Sequence, residues 1–135
     1  MKKVWLLGLV ALLVLSASGP GGPAPKEKLQ FIIVLRPVPR LLQVENWTDV
    51  ESKIVDEHIA QLKRLLADGK LILAGSTIPL DSTKFGIAIL EVDSEEEARK
   101  IMENDAGVRG KIFTAELFPY HVAMILGQNP DSQHP

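Results

Sequence analysis

The residue in this chain best suited to proton-transfer chemistry is His58, which lies on a predicted helix that is followed by a turn and a strand. A histidine titrates near neutral pH, so its ring can take up or release a proton under ordinary conditions. The helical period predicts a core face formed by Val55, Ile59, Leu62 and Leu66. His58 lies at the edge of that predicted face. This position suits a group that contacts both the protein and a ligand, and equally a boundary histidine bonded to a backbone carbonyl.

Six predicted elements position this histidine, in the order β-α-β-β-α-β. Runs of apolar and β-branched residues indicate the strands, and capping spacings such as Thr48 followed by Glu51 indicate helix starts. Pro37 and Pro39 should end the first strand, and Pro119 should bend or interrupt the last one. The predicted strands are Leu29–Leu35, Lys70–Ala74, Phe85–Val92 and Lys111–Ile125, and the predicted helices run from about Thr48 to Ala67 and from Ser94 to about Asn104.

This order predicts an α+β fold of ferredoxin-like type, in which both helices cover one face of an antiparallel sheet. The other face would stay bare. Apolar residues on the strands cannot all turn toward the helix layer; examples are Ile33, Leu35, Ile87 and Ile89. A homodimer that buries the open face is therefore the simplest arrangement.

The N-terminus has the pattern of a secretory leader rather than of a folded domain. Lys2 and Lys3 precede an apolar run of 12 residues from Val4 to Leu15, and Ser16–Ser18 supplies small residues for cleavage after Ser18. The alternative is an uncleaved anchor, although a membrane-spanning helix needs roughly 20 apolar residues. The predicted organisation is a leader at 1–18, a Pro/Gly-rich linker at 19–28, a folded domain at 29–126 and a disordered tail at 127–135. The expected location is secreted or periplasmic.

Composition excludes several classes of function. The chain has no cysteine, so disulfides, thiolate catalysis and thiolate metal sites are ruled out. Removal of the leader would leave 13 basic against 17 acidic residues, a formal net charge of −4, which argues against a nucleic-acid partner. No set of His, Asp and Glu has metal-ligand spacing, so neither a metal nor another cofactor is expected.

A group of residues in a fixed order resembles the YCII-related (YciI-like) domain family, and the resemblance covers most of Phe31 to Ala123. The residues that carry it are His58, Leu62, Leu65, Gly69–Leu71, Ala74, Gly75, Gly86, Ile87, Asp93–Ala98, Asn104 and Asp105. The resemblance implies a small dimeric protein of ferredoxin-like, dimeric α/β-barrel fold. One branch of the family acts as a dehydrochlorinase on a chlorinated hydroxyquinol. Many members have a proline after the aspartate, where this chain has Ala106.

The same resemblance implies an active-site pair made of His58 and Asp105. An aspartate bonded to one imidazole nitrogen would fix the tautomer and leave the other nitrogen free as a general base. The chain would then be a cofactor-independent lyase or isomerase acting on a small molecule. Asp105 alone would equally suit a turn residue that caps backbone amides. A non-catalytic dimeric ligand-binding or scaffold domain remains the alternative function.

Four further residues are candidates for ligand binding: Arg36, Ser76, Thr77 and His121. Ser76 and Thr77 follow the second strand, where they could bond a ligand or simply form the turn. Arg36 could pair with an anionic substrate or remain a solvated charge. His121 lies in the predicted last strand and could line a site.

Overall fold

The structure, a computed structural model, describes residues 21–128. The predicted leader and most of the predicted tail lie outside these residues. The strands are β1 (Leu29–Pro37), β2 (Leu71–Ser76), β3 (Gly86–Val92) and β4 (Phe113–Pro119), and the helices are α1 (Asp49–Ala67), α2 (Glu95–Glu103) and α3 (Ala106–Arg109). Two short 3-10 helices, Pro39–Leu42 and Val44–Asn46, connect β1 to α1.

The four strands form one sheet in the order β2-β3-β1-β4, and each neighbouring pair is antiparallel. This order together with the β-α-β-β-α-β sequence of the long elements is the ferredoxin-like arrangement, so the predicted fold class is confirmed. β1 lies inside the sheet because its seven-residue ladders to β3 and β4 satisfy both of its edges.

Alternation along β1 and β3 builds the core between the sheet and the helices. Phe31 and Ile33 of β1 are paired with Leu90 and Ala88 of β3, and all four are buried. Period-two alternation points these side chains to one face, where they meet the helices. The helix-side residues packed on this cluster include Leu62, Leu65, Ile101 and Met102.

The start of α1 follows the predicted capping box. The Thr48 side chain accepts from the Val50 backbone N–H, and the Glu51 side chain accepts from the Thr48 N–H at 3.1 Å. Such a cap satisfies N–H groups that have no partner within the helix and typically contributes about 1 kcal/mol. Glu51 is buried in the process, at 7% exposure.

The predicted core face of α1 was right for Leu62, which packs against the core, and wrong for Ile59 and Leu66. Ile59 and Leu66 are 43% and 59% exposed, whereas Glu51 and His58 are buried. The face turned toward the protein is displaced to the side that carries His58, because the polar groups on that side have partners on other elements. His58 therefore lies within the buried face and not at its edge.

The last strand is shorter than predicted, and its end explains what covers part of the open face. β4 ends at Pro119, after which the backbone N–H of Tyr120 donates to the Gln30 carbonyl at 2.9 Å. The N–H of Val122 donates to the Gln30 side chain at 2.8 Å. The segment that follows lies near the sheet, because Val122, Ile125 and Gln128 line one cavity together with Ile72 and Glu91. Phe118 and Leu73 remain 45% and 49% exposed.

Within residues 21–128, no helix has both the length and the apolar character needed to cross a membrane.

Candidate active site

His58 and Asp105 meet in the interior of the domain. His58 is near the middle of α1, Asp105 follows α2, and each is 8% exposed. Nδ1 of His58 lies 2.6 Å from Oδ2 of Asp105, within hydrogen-bond distance. The structure therefore brings together the two residues that the family resemblance implied.

The second carboxylate oxygen of Asp105 caps α3. Oδ1 accepts from the backbone N–H groups of Gly107 at 2.8 Å and Val108 at 3.2 Å. No element was predicted for this short helix, which lies between the predicted second helix and the predicted last strand, since a single helical turn has too few residues for a periodic signal. Asp105 thus bonds the imidazole of His58 and also caps backbone amides, and the cap fixes the oxygen that faces His58.

Gln61, one turn after His58, holds the backbone on both sides of Asp105. Its Oε1 accepts from the Ala106 N–H at 3.1 Å, and its Nε2 donates to the Asn104 carbonyl at 3.1 Å. The side chain therefore joins α1 to the segment that carries the aspartate. Sequence reasoning missed this residue, although its spacing of three from His58 places both on one side of the helix.

Phe113 packs against the imidazole ring of His58. Its ring packs edge-on against His58, with ring centroids 5.5 Å apart and an interplanar angle of 73°. Gly107 leaves the room for this ring: a Cβ at Gly107 would lie 2.2 Å from Cδ2 of Phe113. The sequence carries no signal for this contact beyond a glycine two residues after the aspartate.

A cavity of about 380 Å³ opens beside His58, between α1 and the ends of β2 and β3. This volume is within the range of small-molecule sites. Its walls are mainly apolar, and they include Leu35, Pro37, Trp47, Val55, Ile59, Leu62, Leu80, Phe85 and Phe113. Asp105 does not line it. Nδ1 of His58 is engaged by Asp105, and Nε2 has no hydrogen-bond partner within residues 21–128, so Nε2 is left for a ligand.

Ser76 and Lys84 are polar side chains in the wall of the cavity, on the side of the β2–β3 connection. Nζ of Lys84 donates to Oγ of Ser76 at 3.3 Å and to the carbonyl of Thr77. Ser76 was a predicted ligand-binding residue, and Lys84 was not considered. The only signal for Lys84 in the sequence is its position just before the third predicted strand, between two strands that must be joined by a turn or loop.

Three of the predicted ligand-binding residues lie away from the cavity. Thr77 forms the turn, because its Oγ1 accepts from the Phe85 N–H at 3.0 Å. Arg36 places its guanidinium 5.4 Å from the centre of the Phe85 ring, outside the residues that line the cavity. His121 follows β4 and is exposed.

Among residues 21–128, no three His, Asp or Glu side chains are grouped so that they could hold a metal ion.

The sheet order and the buried histidine–aspartate pair beside a cavity define a ferredoxin-like α+β domain with a candidate site between its first helix and its sheet. The chain belongs to the YCII-related domain family, whose family model matches residues 29–120. The family membership expected from the sequence is therefore confirmed.

Two solved structures are similar to this chain. One is 5-chloro-2-hydroxyhydroquinone dehydrochlorinase (TftG) of Burkholderia phenoliruptrix, in complex with 2,5-dihydroxybenzoquinone. It is 22% identical with a TM-score of 0.54, and the match covers 69% of this chain and 94% of that one. The other is SnoaB, a cofactor-independent oxygenase of Streptomyces nogalater, at 10% identity and a TM-score of 0.41 over 76% of this chain and 99% of that one. The similarity to TftG supports the fold of this chain, whereas the similarity to SnoaB is too weak to support any argument. No curated protein sequence matches the chain significantly.

Proposed function

We propose that this protein is a cofactor-independent enzyme for a small molecule, a lyase or isomerase in which His58 is the general base. The observation that carries the proposal is the 2.6 Å contact between Nδ1 of His58 and Oδ2 of Asp105, combined with the position of His58 in the cavity wall. A base needs hydrogen-bond reach to the substrate and a fixed orientation, and this arrangement supports both.

The proposed reaction begins with removal of a proton from carbon by Nε2 of His58. The electron pair left on the substrate then forms a carbon–carbon double bond and expels an anionic leaving group, or accepts the proton again at another atom. The first outcome is an elimination and the second a tautomerisation. Asp105 accepts from the Nδ1–H of the ring throughout, so it keeps the lone pair of Nε2 toward the substrate and stabilises the imidazolium that forms.

The mainly apolar walls favour this chemistry because they exclude water from the reacting atoms. In such surroundings the charge on a transient imidazolium interacts more strongly with a nearby carboxylate than it would in bulk water. The bound ligand and the dehydrochlorinase activity of TftG are properties of that protein. They suggest halogenated and hydroxylated aromatic compounds as the first substrates to test here.

The test is a screen of the purified chain against phenolic compounds and halogenated aromatic acids, followed by ultraviolet absorbance and by chloride release. The test variant is His58→Ala. Its matched control is His121→Ala, because His121 is exposed and does not line the cavity. Turnover by the wild type and by His121→Ala, with none by His58→Ala, is the expected result. Equal turnover by His58→Ala contradicts the proposal. Binding without turnover across the panel would favour the non-catalytic ligand-binding domain instead.

We further propose that the protein is a homodimer joined through the open face of the sheet. The exposed apolar residues Leu73 and Phe118 support this, since a monomer would leave them in water. Analytical ultracentrifugation of the wild type and of Phe118→Glu checks the proposal: the wild type should sediment as a dimer and the variant as a monomer. A wild-type monomer at all concentrations contradicts it.

Export is proposed on the leader pattern of residues 1–18 alone. Mass spectrometry of the protein recovered from cells would detect the new N-terminus expected after Ser18. A retained Met1–Ser18 segment contradicts cleavage.

A further inference from the structure

We propose that Lys84 anchors an anionic group of the ligand, so that the ligand of this cavity is a small apolar molecule with one carboxylate or phenolate. The proposal deepens the function proposed above and shares with it the location of the ligand. It concerns recognition rather than the chemical step, and it assigns a role to a side chain that the proton-transfer mechanism does not use.

The charges around the cavity favour an anion. Lys84 is in the wall, and no Asp or Glu is among the described residues that line it. The ion pairs within residues 21–128 join other side chains, and Lys84 has no carboxylate partner there. A cation beside apolar walls without a neutralising partner attracts a negatively charged ligand more strongly than a solvated lysine does.

The hydrogen bonds of Lys84 leave one donor for that ligand. A lysine ammonium has three donors. Two are directed to Oγ of Ser76 and to the carbonyl of Thr77, which are neutral acceptors and cannot cancel the charge. The third is therefore available to a carboxylate or phenolate oxygen.

The β2–β3 connection holds Lys84 in place before any ligand arrives. The backbone N–H of Lys84 donates to the Asp81 carbonyl at 2.9 Å, and the backbone N–H of Phe85 donates to Oγ1 of Thr77 at 3.0 Å. Asp81 in turn accepts from the N–H of Thr83 at 2.8 Å. A preorganised donor loses less entropy on binding than a flexible surface lysine.

The ring of Phe85 lines the cavity and also packs against a second cation. It lines the cavity, while the Arg36 guanidinium is 5.4 Å from its centroid. Arg36, predicted from the sequence as a partner for an anionic substrate, therefore adds positive potential near the cavity without lining it. Together the two cations favour an aromatic acid over its neutral analogue.

The experiment compares benzoate with benzamide, which has the same size and no charge. Trp47 lines the cavity, and in a Trp5→Phe background it is the only tryptophan of the chain, so its fluorescence reports occupancy. We expect benzoate to bind roughly tenfold or more tightly than benzamide, the range expected for a hydrogen bond to a charged group. Lys84→Met should abolish this preference, and Lys84→Arg should retain most of it. Lys63→Met, a change at an exposed lysine of α1 outside the cavity, should leave the preference intact.

His58→Ala separates this proposal from the proposed function. The variant should lose turnover but keep the preference for benzoate, because the anchor is on another element. Equal binding of the two compounds by the wild type, or an unchanged preference in Lys84→Met, overturns the anchor whatever the result for turnover. Binding of neither compound overturns it as well. Loss of the preference in Lys84→Met, with no catalytic effect of His58→Ala, would leave the anchor supported and the proposed chemistry contradicted.

Discussion

Oδ2 of Asp105 lies 2.6 Å from Nδ1 of His58, although 47 residues separate the two along the chain. The same carboxylate caps α3 through its other oxygen, which accepts from Gly107 and Val108. One side chain therefore fixes both the start of a helix and the orientation of an imidazole. A change at Asp105 can alter the second role while it preserves the first, which makes the pair testable.

Asp105→Asn should reverse the tautomer of His58. An asparagine can still accept from the Gly107 and Val108 N–H groups, so the free energy of unfolding should change by only about 1 kcal/mol. Its amide nitrogen, however, can donate to Nδ1, which would place the ring proton on Nε2 and remove the base from the cavity. Two-dimensional ¹⁵N NMR of the neutral imidazole measures this directly and needs no substrate.

In the wild type we expect the Nδ1–H tautomer, and in Asp105→Asn the Nε2–H tautomer. Turnover of a substrate found by the screen should fall on the order of a hundredfold or more, with KM little changed. The control is Asp93→Asn, at an exposed carboxylate paired with Lys28. An unchanged tautomer in Asp105→Asn would contradict the assigned hydrogen bond.

Gln61→Ala should loosen the segment that carries Asp105. The change removes the acceptor of the Ala106 N–H and the donor to the Asn104 carbonyl. We expect a loss of about 1 kcal/mol in the free energy of unfolding, because both groups can partly turn to water. Hydrogen exchange of the Ala106 amide should accelerate more than exchange in the sheet.

Gln61→Glu distinguishes the two bonds of this side chain. A glutamate keeps an acceptor for the Ala106 N–H and loses the donor to Asn104. Its effect on the exchange of the Ala106 amide should therefore be smaller than that of Gln61→Ala. Equal exchange in all three proteins would show that Gln61 does not hold this segment.

The sequence predicts the order of the elements well because each long element carries a local signal. The alternation in β1, the capping box at Thr48 and the N-cap at Ser94 all depend on neighbours in sequence, and the structure has each of them. α3 could not be predicted in this way, since its start depends on the single side chain of Asp105.

The buried face of α1 could not be predicted from residues that are neighbours in the sequence. The apolar period places His58 only at the edge of the core face and gives no reason to bury Gln61 or Glu51, yet each has a partner on another part of the chain. Those partners make burial of polar groups favourable and turn the helix away from the face that the apolar residues alone would choose. The pairing of His58 with Asp105 came from the family resemblance and not from periodicity, and the place of Lys84 depends on a turn whose geometry only the structure gives.

Gly107→Ala should destabilise the domain through Phe113. The new Cβ would lie 2.2 Å from Cδ2 and 2.6 Å from Cε2 of that ring, so the ring must move. Overpacking of this kind costs about 1–3 kcal/mol, which chemical denaturation can measure. Because the ring packs edge-on against His58, the imidazole NMR signals should shift as well.

Gly75→Ala is the matched control for this change, since a Cβ there meets nothing within 4 Å. A smaller side chain at the contact should compensate, so Gly107→Ala combined with Phe113→Leu should be less destabilised than the sum of the two single changes. Additivity of the two changes would contradict a direct clash.

Glu51 should make the stability of the domain sensitive to acid. The Thr48 hydroxyl, and after it the Arg40 guanidinium at 2.8 Å, lower the pKa of this carboxyl from 4.5 to about 2 in the folded protein. Because the folded pKa is below the unfolded one, the contribution of Glu51 is fully present above about pH 4.5 and is lost as the pH falls toward 2.

Glu51→Gln keeps a residue type that suits the capping box but removes the ionisation. Denaturation at several pH values should therefore give a shallower loss of stability between pH 4.5 and 2 for Glu51→Gln than for the wild type. Glu57→Gln, at an exposed position on the same helix, should keep the wild-type slope. Parallel curves for Glu51→Gln and the wild type would mean that the cap contributes equally in both protonation states.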